Sequence, residues 1–112
     1  MKKSLATFAG IALITLSGQA FSSEATEIGK KIYDRAFGRG CGTCHDIASN
    51  PQLSELIKAG TLDRARFEEV LRNGKGGMPK ALDEILKNAA VKKAGLTEEL
   101  AIDDLYDYLK TK

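Results

Sequence analysis

The chain has 112 residues, with 17 Lys and Arg against 15 Asp and Glu, one His, two Cys and two Met. That length holds one small domain, and two cysteines exclude a disulfide framework. Basic and acidic residues are interspersed at near balance, so nothing favours a nucleic-acid partner.

The first residues have the anatomy of an export signal. Met1-Lys2-Lys3 is positive, Leu5 to Leu16 is mostly apolar and uncharged, and Ser17-Gly18-Gln19-Ala20 is small and polar. The pattern predicts a secretory signal peptide over 1–22, cut before Phe21 or before Ser23, and a periplasmic domain over 23–112. The apolar run is shorter than the roughly 20 residues of a membrane span, and no second one follows, so no stable span is expected after cleavage. The alternative is an uncleaved anchor holding the domain at the membrane surface. Loss of Lys2 and Lys3 takes the 17 basic residues to 15, equal to the 15 acidic ones. The remaining chain of about 90 residues is close to the size at which an apolar core alone is a thin source of stability, and a large flat cofactor would enlarge that core.

Ile28, Gly29, Ile32, Tyr33, Ala36 and Phe37 recur at helical spacing, and Gly38-Arg39-Gly40 ends that first helix. Next comes Cys41-Gly42-Thr43-Cys44-His45. In this C-x-x-C-H run, two thiols three positions apart can each add to one of the two vinyl groups on the same porphyrin edge. The histidine after the second cysteine then lies beneath the iron as its proximal ligand. The competing reading is a thioredoxin-like dithiol, which requires a βαβ setting, and no strand pattern precedes the motif. Cofactor binding is therefore assigned to Cys41 and Cys44, as covalent thioethers of one haem c.

Asn50-Pro51 reads as an N-cap and first-turn proline for a helix carrying Leu53, Leu56 and Ile57, stopped by Gly60. Thr61 is the expected cap of a third helix burying Leu62, Phe67, Val70 and Leu71, which Asn73-Gly74-Lys75-Gly76-Gly77 breaks. Met78-Pro79 follows. Leu82, Ile85, Leu86, Ala89 and Ala90 predict one helical face closed around Gly95. Thr97 caps a last helix with Glu98 and Glu99 in its first turn, and Ala101, Leu105, Tyr108 and Leu109 form its stripe. The expected fold is all-α, a small bundle of about four to five helices wrapped around one covalently bound haem.

After export the domain has His45 as its one histidine and Met78 as its one thioether. A second imidazole ligand within the chain is therefore impossible, and Met78, held in a Gly-Gly-Met-Pro segment, is the candidate distal axial ligand. The alternatives are Met78 as a gap-filler in the core, with an open sixth site or a lysine in it.

With these motifs, the opening helix bearing Gly29 and Tyr33, and the closing helix bearing Leu105, Tyr108 and Leu109, the sequence resembles the class I monohaem c-type cytochromes over essentially its whole exported length. The resemblance implies that the first and last helices cross with Gly29 and Tyr33 against Leu105 and Tyr108. It also implies that the Pro51 carbonyl accepts a hydrogen bond from the proximal histidine; a plain helix-starting proline is the other reading. Arg66, Arg72, Asn73 and Lys75 are candidates for haem propionates, or are solvated. The chain departs from the family in spacing: Tyr33 stands two turns before Cys41, so either Phe37 takes the aromatic role or Phe37 to Gly40 is an added turn. The stretch from His45 to Met78 is short and that from Met78 to the last helix long, so the helix around Leu82 to Ala90 is expected to shield one side of the haem.

The expected function is one-electron transfer rather than enzymatic chemistry, by a monomer docking transiently at its haem edge with a redox protein donor and acceptor. Arg35, Arg39, Lys75 and Lys80 form a positive rim or are scattered solvated charge. The rivals are a dedicated cytochrome subunit of an exported dehydrogenase or oxidase, and a haem sensor from whose iron Met78 departs.

Overall fold

In the computed structural model, residues 24–112 are described. The expected signal peptide over 1–22 lies outside them. Helix α1 covers 24–35 and runs into a 3-10 turn, Ala36–Gly38. It is followed by α2 (Gly42–His45), α3 (Leu53–Lys58), α4 (Arg64–Asn73), α5 (Leu82–Leu86), α6 (Ala89–Ala94) and α7 (Glu98–Thr111). No strand occurs among the described residues beyond an isolated antiparallel bridge between Lys75 and Met78. No helix there is long and apolar enough to cross a membrane.

The centre of the molecule is α7, on which α3, α4 and α5 pack. Its periodic apolar residues give it a continuous inner face of Ala101, Ile102, Leu105 and Leu109, which meets Ile32, Phe67, Leu71 and Ile85 in one core. The α1–α7 crossing is close because Gly29 has no side chain. A Cβ there would overlap the Asp104 carbonyl oxygen and come within 2.6 Å of Tyr108 Cβ. One turn on, the Tyr33 and Tyr108 rings meet at 5.8 Å. On the other side of α7, Phe67 packs edge-on to Tyr106 at 5.2 Å.

The expected all-α class holds, with corrections to element number and ends. Seven helices, rather than four to five, span the described residues: the C-x-x-C-H residues form a turn of their own, and the helix expected over Leu82 to Ala90 is two. Asn88 divides it, taking extended backbone and accepting from Ala90 N at 2.9 Å, while its amide donates to the Lys31 carbonyl of α1 at 3.2 Å. Asp63, not Thr61, caps α4, accepting from Arg66 N at 2.8 Å. Thr61 instead closes α3, its N–H bonding Leu56 O while Gly60 N bonds Ile57 O across the left-handed Gly60. The cap of α3 is Gln52, and Asn50-Pro51 lies in the loop before it. Thr97 caps α7 as expected.

Candidate haem attachment site

The turn after α1 positions the first cysteine. Gly40 is left-handed, with φ of 92°, and a Cβ there would lie 2.7 Å from Asp34 O. With glycine in that place, Gly40 N reaches Ala36 O and Cys41 N reaches Tyr33 O, both at 2.7 Å. The chain thus folds back so that Cys41 packs, half-buried, against the core beside Tyr33. Of the two aromatics before the motif, Tyr33 makes the crossing contact with Tyr108, and Phe37 is 38% exposed.

From Cys41 the backbone is helical, with His45 N bonded to Cys41 O at 3.0 Å. Cys41 and Cys44, three residues apart, therefore share one side of a single turn, both as free thiols and Cys44 exposed. Burial pushes the Cys41 thiol up to about 11, so it is protonated at neutral pH.

The loop from Asp46 to Gln52 is organised by side chains. His45 Nδ1 donates to the Pro51 carbonyl at 2.9 Å, Asn50 Nδ2 to Cys44 O at 2.8 Å, and Gln52 Nε2 to Ile47 O at 2.8 Å. The first bond holds the imidazole in the tautomer whose lone pair is on Nε2, as an iron ligand requires. Tyr33 Oη donates to Asp46 Oδ1 at 2.7 Å, and Lys112 Nζ lies 3.6 Å from that oxygen and 5.4 Å over the Tyr33 ring. Burial, then the Asp46 bond, raises the Tyr33 phenol well above its usual range. Asp46 so ties α2 to α1 and the C-terminus. Its role was not legible in the sequence, where its only signal is standing next to His45.

Met78 comes from the segment after α4. Gly74 ends that helix at φ of 77°, where a Cβ would lie 2.8 Å from Met78 O. Lys75 and Met78 then exchange both backbone bonds, at 3.0 and 2.9 Å, around Gly76-Gly77. Ala81 N donates to Leu71 O at 2.8 Å and returns the chain to α4. Met78 is half-buried against the same core cluster as Cys41.

Two propionate candidates are otherwise engaged. Arg66 pairs with Glu69 at 2.7 Å, and Arg72 donates to Glu68, Glu98 and Glu99 at 2.7 to 2.9 Å. Asn73 and Lys75 are exposed, as are Arg35, Arg39 and Lys80.

Cys41 and Cys44 on one turn, the oriented imidazole of His45 and the half-buried thioether of Met78 are a donor set that fits haem c. No family model, no curated protein and no solved structure matches the chain.

Proposed function

We propose that this protein is a periplasmic one-electron carrier of the class I c-type cytochrome kind, with one haem c held by Cys41 and Cys44 and by axial His45 and Met78. The observation that carries the reading is the His45 Nδ1 to Pro51 O bond at 2.9 Å, in a turn that also presents both thiols of the attachment motif. Bound haem c supplies a ferrous/ferric couple.

The residues of this chain perform the rest. Pro51 fixes the imidazole ring and increases its basicity. The Gly74–Ala81 connection anchors the Met78 backbone at both ends, so that a thioether can stay in place through a change of iron charge. A thioether from Met78 would favour the reduced state of the group, so the potential is expected to be high. His45 and Met78 would both be needed to hold the group, which would leave dioxygen and peroxide no vacant position on it.

The test is spectroscopic. The full chain, produced with haem-attachment machinery, is expected to carry covalent haem and to show a methionine-to-iron charge-transfer band when ferric. Met78→Ala abolishes the band and opens the reduced protein to carbon monoxide. Absence of covalent haem, absence of the band in the unmodified protein, or ready carbon monoxide binding to it would sink the reading.

A further inference from the structure

A groove of about 500 Å³ opens between α1, the 3-10 turn and the α5–α6 junction, away from the His45 pocket. Its walls carry Lys31 and Arg35 on one side and Lys87 and Lys93 on the other, with Glu84 as the one acidic residue and Phe37 at the surface between them. Glu84 pairs with Lys87 at 3.2 Å. Among the described residues no carboxylate is paired with Lys31, Arg35 or Lys93, in contrast to the arginines of α4, each held by a glutamate. The groove thus has a positive charge that the chain does not itself neutralise.

Phe37 adds a second, independent observation. It is the one non-glycine residue at positive φ among the described residues, at 60° and ψ of 19°. A bulky side chain is unfavourable in that conformation, and here the conformation leaves an aromatic ring at the surface rather than in the core. An exposed aromatic ringed by cations is the arrangement of an interface anchor with a polar rim. The walls are already joined, because Asn88 Nδ2 donates to the Lys31 carbonyl at 3.2 Å. Little ordering is left for a partner to impose.

We propose that this groove docks an acidic segment of a partner protein that places an apolar side chain against Phe37 and carboxylates against Lys31, Arg35 and Lys93. The choice of a protein over a small anion follows from the geometry. The cations come from separate elements and line opposite walls of an open groove, and an exposed ring gives a free phosphate nothing to bind. The inference rests on the carrier reading in one respect: the partner would be a redox protein, seated on the turn that leads into Cys41. It is also a different surface from a rim built on Lys75 and Lys80, which do not line it.

The experiment uses the full-length haem-loaded protein in its ferrous state, labelled for amide NMR. The probe is a synthetic glutamate-rich peptide with a central Leu-Phe pair; controls are the same peptide with lysines for glutamates, and inorganic phosphate. The expected result is salt-sensitive shifts at Lys31, Arg35, Phe37, Lys87 and Lys93 with the acidic peptide alone. Lys31→Glu with Lys93→Glu should weaken binding at least about tenfold. Phe37→Asn, a residue at ease in the left-handed conformation, should weaken it roughly fivefold with the amide spectrum of the core unchanged. Shifts centred on Lys75 and Lys80, an equal response to phosphate, no response, or parental affinity in both variants would each overturn the proposal. Covalent haem is read from the visible spectrum of the same sample, so failure of the carrier reading is seen separately from failure of the docking site.

Discussion

The two segments that carry the candidate iron site differ sharply from the helix on which the molecule is built. No residue over 41–56 is buried, nor any over 72–80, whereas α7 alone buries Ala101, Ile102, Asp104, Leu105 and Leu109. Yet the first segments are not disorganised. They are held by backbone turns at Gly40, Gly74 and Gly76 and by bonds from His45, Asn50 and Gln52 to carbonyls. The α4–α7 side is organised by packing, with ion pairs from Arg64 and Arg72 laid over it. One region supplies its own apolar core; the other takes its shape from glycine turns and side-chain bonds to carbonyls.

Removing both candidate attachment thiols tests the contrast most severely. In Cys41→Ser/Cys44→Ser, amides over 42–58 are expected to lose hydrogen-exchange protection by about 100-fold or more while those of α7 keep most of theirs. Uniform loss throughout the chain would erase the distinction. Gly29→Ala attacks the other region. In an unencumbered helix alanine would add stability, but against Asp104 and Tyr108 it is expected to cost on the order of 3 kcal/mol in urea unfolding.

Asp104 gives the core a pH signature. Burial first, with Asp107, Asp103 and Glu24 adding to it, raises its carboxyl to about 6. The native chain therefore holds a proton that the unfolded chain releases nearer pH 4. By linkage, this group makes stability rise as pH falls from about 6 to about 4. Asp104→Asn is expected to add about 1–2 kcal/mol at pH 7 and to remove that slope, as followed by denaturant titrations across the range. Glu68 has the opposite sign: hydrogen bonds from Arg72 and Arg64 lower it, so its contribution is lost in acid. The smallest effect is expected from Arg72→Ala, a melting temperature lower by roughly 2–4 °C that converges on the parent in high salt, because these pairs are partly exposed.

The helical segments were legible because their apolar residues recur at a period that only a helix turns to one side. Caps were legible less often. Thr97 was, but Thr61 lost to Asp63, since the backbone of Thr61 was needed to close α3. Asn88 looked like an interior residue of a longer helix. It breaks that helix because its side chain can satisfy Ala90 N and the distant Lys31 carbonyl together, and the latter is 57 positions away. The same holds for the candidate site: the His45–Pro51 contact was expected, while Asp46 as the tie between α2, Tyr33 and Lys112 was not.

By itself the sequence determined the helical class, the glycines that allow sharp turns, and a chemical census in which one histidine and two methionines accompany a paired-thiol motif. Those follow from local periodicity and from which side chains exist at all. Tertiary structure decided which arginines are already committed to carboxylates, which of Tyr33 and Phe37 faces the core, and where unneutralised charge collects. The physical reason is that burial, ion pairing and exposure depend on segments far apart in the chain, so no window of sequence contains them.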